Sequence, residues 1–247
     1  MRFYPLILVS LLACSTPPQQ AETTVTPEPE AITPPTYSPL NALTPEEEAE
    51  GWSLLFDGES GQGWHTFGKD SLTGWEIADG ELRTPGNKGD IVTDETFADF
   101  ELYIEWKISE GGNSGIMFHV QEGADYTYTF ETGPEFQIID DEGYESPLDN
   151  TQKTGANYAL QAPTVAAAMP VGTYNTTRIR VWKGKVQHFL NGQMVVTYKQ
   201  DSPEWEAIKN KTKFKDMPGY AAFSSGHIAL QDHGDAVAFR SIKIRPL

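Results

Sequence analysis

The sequence predicts an all-β sandwich or jelly roll, and three observations support this prediction. Apolar and polar residues alternate with period two along several short stretches, which is typical of half-buried strands. The clearest of them are residues 100–108, 178–182 and 236–244. Glycine and proline separate the stretches, and Asn191-Gly192 is a strong hairpin signal because both turn positions need positive φ. About 200 residues of such strands are typical of one sandwich or jelly roll.

Individual elements follow from the same patterns. Residues 178–182, 185–190 and 193–198 are predicted to form a three-stranded meander. A short helix is predicted around Pro203 to Lys209, where Ser202 supplies the N-cap. Large aromatic side chains dominate the interiors of sandwiches, so the tryptophans of three predicted elements are placed in the core. These are Trp64, Trp75 and Trp106.

Composition and charge narrow the function classes. The chain has 247 residues, with 18 Lys+Arg against 35 Asp+Glu, and a net charge of −17. This balance argues against nucleic-acid binding, because phosphate neutralisation needs clustered positive charge. A hydrophobic fraction of 38% is enough for a globular core. With one cysteine, the chain can form neither an intramolecular disulfide nor a cysteine-based zinc site.

The N-terminus has the pattern of a lipoprotein signal peptide, predicted to span residues 1–13. Arg2 supplies positive charge, Pro5 to Leu12 form a short apolar stretch, and Ala13 supplies the small residue before cleavage. The segment Leu11 to Cys14 resembles the bacterial lipobox, whose cysteine is lipidated, so Cys14 is the expected lipidation site. We therefore expect a lipid-anchored protein of the bacterial cell envelope, on the periplasmic or surface face of the outer membrane. The lipid is the only expected contact with the membrane.

A linker is predicted over residues 14–44. Residues 15–45 contain eight of the chain's 17 prolines and no Lys or Arg. Such a segment cannot bury enough apolar surface to fold, and proline favours extended backbone, so we expect a disordered spacer. The linker ends at Thr44-Pro45-Glu46-Glu47, which has the pattern of a helix capping box. The folded domain is predicted to span residues 45–247.

Four stretches of this domain resemble the 3-keto-disaccharide hydrolase domain family. They are residues 51–58 with Gly63-Trp64, residues 113–120, residues 133–140, and residues 228–234 together with Phe239-Arg240. The resemblance covers residues 45–247 and implies a concanavalin A-like jelly roll. It also implies an enzyme that cleaves the glycosidic bond of sugars whose C3 hydroxyl has been oxidised to a ketone.

The segment Glu135 to Asp140 is the richest in candidate chemistry. On a strand, Glu135 and Gln137 point to the same face, about 6.6 Å apart, whereas Asp140 shares that face only if a bulge intervenes. The segment resembles the Glu-x-Asp-x-x-Glu strand of laminarinase-like glycosidases, with Gln137 and Asp140 in place of its second and third acids. This difference argues against a classical β-glucanase, because retaining glycosidases need two carboxyls about 5–5.5 Å apart.

A 3-keto sugar allows a different route. The ketone acidifies the C2 proton, so a base can remove it, the C1 substituent leaves by elimination, and water then adds. Several assignments remain open for each role. The base is Glu135, His119 or His233. The enolate is stabilised by Arg240, Lys153 or a metal ion. The leaving oxygen is protonated by Asp140 or a histidine.

Further site residues follow from patterns and from the resemblance. If Ile116 and Phe118 face the core, Met117 and His119 face the other surface of the sheet, where sugars sit in this architecture. His233 lies in a turn, in the most recognisable string of the family. The resemblance implies five substrate-binding residues, which are Gln137, Lys153, Tyr158, Gln231 and Arg240.

The sequence says less about cofactors and partners than about the fold. A divalent metal such as calcium is considered, with His119, Glu135 and Asp140 as candidate ligands, because two histidines and several acids lie in the same motifs. The chain has no dinucleotide-binding fingerprint, so a separate sugar 3-dehydrogenase is expected to make the ketone. The rival class is a non-catalytic, lectin-like sugar-binding module. Coupled acid and base pKa values in a cleft favour the enzyme.

Overall fold

A computed structural model describes Met1 and residues 40–247. These residues form thirteen strands and two short α-helices. In chain order the elements are α1 (Pro45–Ala49), β1 (Ser53–Leu54), β2 (Trp64–Thr66), β3 (Glu76–Ala78), β4 (Glu81–Thr84), β5 (Ile91–Thr93), β6 (Phe100–Ile108), β7 (Asn113–Val120), β8 (Glu135–Ile139), β9 (Asn175–Trp182), β10 (Lys185–Leu190), β11 (Gln193–Lys199), α2 (Pro203–Lys209), β12 (His227–Leu230) and β13 (Val237–Pro246). Three 3₁₀ helices accompany them, at Thr129–Glu131, Asn150–Gln152 and Lys213–Asp216.

The strands form two antiparallel sheets. The larger has eight strands in the order β11-β10-β9-β6-β13-β4-β3, with β1 paired to β13. The smaller has five strands in the order β2-β5-β12-β7-β8. Strands distant in sequence, such as β6 and β13, are direct neighbours, as in a jelly roll. The predicted fold class, an all-β concanavalin A-like jelly roll, is confirmed.

Local predictions also agree with the structure. The meander is present as β9, β10 and β11, and Asn191 and Gly192 both have positive φ in the turn between β10 and β11. The Thr44 capping box begins α1, and the Ser202 side chain accepts a hydrogen bond from the N–H of Trp205 at the start of α2. These elements depend on neighbours in sequence, which is why a local pattern predicts them.

The main core lies between the sheets and contains the three predicted tryptophans. On the smaller sheet, alternate residues separate two environments. Ile116, Phe118 and Phe136 belong to the main core, whereas Met117 and Ala229 form a second apolar cluster on the sheet's outer face. All residues of β7 and β8 are buried, so the outer face is covered as well. This covered outer face carries the candidate site.

The predicted signal peptide, Cys14 and almost all of the predicted linker lie outside the described residues. Lipidation and anchoring therefore stay predictions. No helix within the part of the chain that the structure describes is long and apolar enough to cross a membrane.

Candidate functional site

One pocket on the outer face of the smaller sheet brings together most of the polar residues singled out above. Strands β7 and β8 and the residue after β12 contribute to its floor, and segments before and after β8 contribute its other lining residues. The pocket is lined by Asn113, Phe130, Glu135, Gln137, Tyr158, Lys213, Gln231 and His233. Glu135 and Gln137 share this face of β8, as the two-residue period predicts.

Glu135 fits into the floor because a glycine faces it. Strand β7 pairs with β8 so that Gly115 is opposite Gln137 and Met117 is opposite Glu135. A Cβ atom at Gly115 would lie 2.3 Å from Oε1 of Glu135, well inside van der Waals contact. Gly115 therefore makes the room that the Glu135 side chain occupies.

The environment of Glu135 favours its protonated form. Its exposed fraction is 5%. Burial raises the pKa of Glu135 to about 8, against the opposing effect of the Lys213 cation and with a small contribution from Asp90. A carboxyl group with a pKa near neutrality suits proton transfer in either direction.

Lys213 is a functional candidate that the sequence analysis missed. It begins the 3₁₀ helix Lys213–Asp216, and its Nζ atom lies 4.8 Å from the ring centroid of Tyr158 and 5.3 Å from that of Phe130. These distances are typical of cation–π contacts, which hold the ammonium group beside the pocket. No motif surrounds Lys213, so only the folded chain reveals its proximity to Glu135.

Three amide side chains complete the floor. Asn113, Gln137 and Gln231 are each at least nine-tenths buried. The side-chain oxygen of each accepts no hydrogen bond from any described residue. Buried polar atoms nearly always have partners, so three unpaired oxygens in one pocket indicate a binding surface for hydrogen-bond donors such as hydroxyl groups. Asn113 was not among the predicted residues.

His233 lies at the exposed rim of the pocket, near Asp90, an acid that the sequence analysis missed. Asp90 is half-buried, and its carboxylate accepts hydrogen bonds from the Thr129 hydroxyl and, at 2.9 Å, from the N–H of Asp232. Burial raises the pKa of Asp90, and the nearby His233 opposes that rise. Asp232 itself is structural, because its carboxylate accepts hydrogen bonds from the N–H groups of Asn87 and Lys88.

The expectation that His119 shares the face of Met117 is wrong. His119 has φ of +56°, and the pairing of β7 with β12 shifts register beside it. This irregularity turns the imidazole away from the pocket, so that Nε2 lies 2.8 Å from the carbonyl oxygen of Ala98. The ring packs against Phe100 and Phe118. His119 therefore does not line the pocket of Glu135.

Asp140 is also outside the pocket. The pairing of β7 with β8 is regular, so no bulge returns Asp140 to the side of Glu135. Its carboxylate accepts hydrogen bonds from the N–H groups of Gly111 at 2.8 Å and Gly143 at 2.9 Å. Although burial acts to raise the pKa of Asp140, these hydrogen bonds hold it below its usual value. Asp140 stabilises a turn.

The two cations considered for the enolate also lie elsewhere. Lys153 ends the 3₁₀ helix Asn150–Gln152 and does not line the pocket. Arg240 is on β13 of the larger sheet, where its Nε atom donates to Glu105 at 2.7 Å. Its guanidinium carbon lies 3.5 Å from the ring centroid of Tyr174. Resemblance pointed to both residues, but the topology places neither beside Glu135.

The proposed metal ligands do not converge either. Glu135 lines the pocket, while His119 and Asp140 contact backbone groups elsewhere. Within residues 40–247 no group of three or more His, Cys, Asp or Glu side chains is arranged to hold a metal ion.

Comparisons with known proteins identify relatives that match most of this chain. The 3-keto-disaccharide hydrolase of Bacteroides thetaiotaomicron is 30% identical over 239 residues, which cover 84% of this chain and 82% of the relative. A solved structure of a candidate glycosyl hydrolase from Parabacteroides distasonis is 38% identical and covers 85% of this chain and 100% of its own, with a TM-score of 0.82. A second one from the same organism is 26% identical and covers 79% of this chain and 99% of its own, with a TM-score of 0.63.

The family match spans nearly all of the predicted domain. A family model described as the 3-keto-alpha-glucoside-1,2-lyase-like domain matches residues 51–245. These residues include the four stretches that carried the resemblance, together with every residue that lines the pocket. The chain therefore belongs to the 3-keto-alpha-glucoside-1,2-lyase-like family.

Proposed function

We propose that this glycoside-cleaving enzyme acts on 3-keto-glycosides, and that Glu135 removes the proton at C2 of the oxidised sugar. One observation carries the proposal. A buried carboxyl group with a pKa of about 8 lines the same pocket as the Lys213 ammonium and three unpaired amide oxygens. Family membership and the name of the Bacteroides relative support the substrate class.

The first step transfers the C2 proton to the Glu135 carboxylate. The electrons of the C2–H bond form an enolate, and its negative charge develops on the C3 oxygen. Lys213 stabilises that charge, because its ammonium group lies in the same low-dielectric pocket. Asn113, Gln137 and Gln231 accept hydrogen bonds from the sugar hydroxyls and hold C2 next to Glu135.

The second step breaks the bond between C1 and the glycosidic oxygen. The enolate electrons form a C1–C2 double bond, and His233 protonates the departing oxygen. Water then adds across this bond, with its hydroxyl group at C1 and its proton at C2. The net reaction consumes one water molecule and releases the 3-keto sugar and an alcohol. The exposed position of His233 allows the proton to be replaced from solvent.

The single carboxylate of the pocket favours this route over classical glycoside hydrolysis. Among the described residues that line the pocket, Glu135 is the only carboxylic acid. A retaining or inverting glycosidase needs two carboxyl groups flanking the bond. Elimination needs one base and one electrophile, which Glu135 and Lys213 supply.

The proposal also covers the source of the substrate and the attachment of the enzyme to the cell envelope. A separate sugar 3-dehydrogenase supplies the ketone, since elimination needs an acidified C2 proton. The lipobox-like segment ending at Cys14 anchors the protein to the cell envelope through lipid, with the linker as spacer.

The test compares release of a chromogenic aryl alcohol from a 3-keto-glucoside and from its unoxidised parent. We expect turnover of the keto substrate alone. In the Glu135→Gln variant kcat should fall by about 10²–10⁴, the usual contribution of a general base. Asp140→Asn provides a matched control, because it makes the same change to an acid that lies outside the pocket, and it should retain most activity.

Three outcomes would contradict the proposal. Equal turnover of the parent glucoside would favour ordinary hydrolysis. Full activity of Glu135→Gln, or loss of activity in Asp140→Asn alone, would remove Glu135 from the reaction. Saturable sugar binding without turnover of either substrate would favour the lectin-like alternative.

A further inference from the structure

A second cavity lies near the opposite end of strand β7 from the candidate site. Its volume is about 470 Å³, within the usual range for small-molecule sites. It is enclosed by the start of β6, the end of β7, the turn between β9 and β10, the end of β11 and residues 221–224. It shares no lining residue with the pocket of Glu135. The proposed reaction gives this cavity no role.

His119 lines this cavity and carries a buried ring nitrogen without a hydrogen-bond partner among the described residues. Its exposed fraction is 3%, and its Nε2 atom lies 2.8 Å from the Ala98 carbonyl oxygen. A carbonyl only accepts, so Nε2 carries the hydrogen. Burial lowers the pKa of His119, although interactions with the backbone of Ala98 and Phe223 oppose this effect, and the lowered pKa favours the neutral imidazole. Nδ1 therefore has a free lone pair, and no described residue donates to it.

Gln200 lines the same cavity and carries a buried donor without a partner among the described residues. Its exposed fraction is 5%, and its backbone N–H donates to the carbonyl of Gly184 at 2.8 Å. The side-chain Nε2 atom meets no acceptor among the described residues. Leaving a buried donor or acceptor unpaired is unfavourable. Two such groups of opposite type in one cavity are complementary to hydroxyl groups, which both donate and accept.

The charges around the cavity balance. Two lysines, Lys183 and Lys199, are matched by two aspartates, Asp99 and Asp201. Two of these charged groups already have partners within the protein. The Lys199 ammonium donates a hydrogen bond to the Lys183 carbonyl, and the Asp99 carboxylate accepts one from the Lys183 N–H at 2.8 Å. Such a lining does not select an anion or a cation. Phe223 adds an apolar wall.

The lining backbone is held in an uncommon conformation. His119 and Ala221 both have φ of +56°. This region is unfavourable for residues other than glycine, and such strain concentrates at functional sites. At His119 the strain accompanies the register shift in the pairing of β7 with β12.

We propose that this cavity is a second binding site, for an uncharged polyhydroxylated molecule of monosaccharide size. One ligand hydroxyl donates to Nδ1 of His119, and another accepts from Nε2 of Gln200. The apolar face of the sugar ring lies against Phe223. The site binds and does not cleave, because no base comparable to Glu135 faces the two unpaired groups. It is independent of the reaction proposed above.

The experiment is a titration of the ¹⁵N-labelled protein with glucose, followed by NMR at the His119 ring nitrogens and the Gln200 side-chain amide. Inorganic phosphate is titrated in parallel as a charged probe. Gln200→Met removes the amide at similar length. Gln137→Met makes the same change in the other pocket and is the matched control.

Glucose should cause saturable shifts at both His119 and Gln200. Binding should be about tenfold weaker or worse in Gln200→Met, as expected for the loss of one buried hydrogen bond. Gln137→Met should leave these shifts unchanged. The His119 signals of the unmodified protein keep the test decisive if Gln200→Met does not fold.

Several results would overturn the proposal. Shifts that do not saturate would mean that the cavity holds water alone. Saturation by phosphate but not by glucose would make it an anion site. Loss of the shifts in Gln137→Met, or their persistence in Gln200→Met, would place the sugar elsewhere.

Discussion

Replacing Gly115 with alanine should disable the candidate site without removing any functional group from it. The added Cβ would lie 2.3 Å from Oε1 of Glu135 and 2.9 Å from its Cδ and Cγ atoms. Gly115 is in a regular strand with no positive φ, so alanine suits the backbone there. The strain therefore falls on the Glu135 side chain, which is the group most able to move.

The size of the displacement follows from these distances. Ordinary van der Waals contact with a Cβ atom begins at 3.4 Å, so the carboxyl group must retreat by about 1.1 Å from its 2.3 Å contact. A misplacement of about 1 Å in a catalytic group can cost about 10²-fold in rate. We therefore expect kcat on the 3-keto-glucoside to fall by about 10²-fold in Gly115→Ala.

The assay is release of the chromogenic alcohol at saturating substrate, with thermal unfolding measured on the same samples. Gly61→Ala is the matched control, because its Cβ would lie 2.4 Å from a terminal carbon of Leu72, far from the pocket. That variant should keep its kcat. A folded Gly115→Ala protein with kcat within twofold of the unmodified enzyme would refute the argument that Gly115 positions Glu135.

Three further predictions concern charge. Burial raises the folded-state pKa of Glu135 from 4.5 to about 8, so the free energy of unfolding should fall by a few kcal/mol as pH rises between these values. Denaturant titrations should show that Glu135→Gln abolishes this fall, and an equal dependence of the unfolding free energy on pH in both proteins would contradict the prediction. Lys213→Met should lower kcat by about 10²–10³, because it removes the cation that stabilises the enolate. It should also move the inflection of the pH–rate profile above 8, since the Lys213 cation opposes the rise in the pKa of Glu135, and an inflection that moves to lower pH would refute this role. Burial acts to lower the pKa of His65, but Glu122 and Asp94 raise it above its usual value. The stability lost in His65→Gln should therefore be greatest below pH 6.5 and should vanish as pH rises above the folded-state pKa. A difference in melting temperature between the two proteins that grows with pH would contradict this prediction.

Much of the fold follows from the sequence because its signals are local. The period-two pattern of β6, the Asn191-Gly192 turn and the capping residues Thr44 and Ser202 act through neighbours a few residues away. The pairing of β6 with β13 joins residues more than a hundred positions apart and has no local signal. The resemblance to a family supplied that topology.

The residues of the candidate site likewise fall into those that the sequence predicted and those that it misplaced or missed. Strand periodicity correctly placed Glu135 and Gln137 on one face, and family motifs supplied Gln231, His233 and Tyr158. The same reasoning misplaced His119, because a single shift of register reverses the direction of every later side chain.

The sequence by itself determined the all-β class, the shared face of Glu135 and Gln137 and a short list of candidate bases that includes Glu135, since each depends on short-range pattern or motif. Only the tertiary structure decided what surrounds that carboxylate. Lys213 and Asp90 come from a 3₁₀ helix and a loop that no motif marks, and they influence Glu135 across space. Electrostatics and burial depend on three-dimensional proximity, and proximity between distant segments is set by how the two sheets and their loops pack.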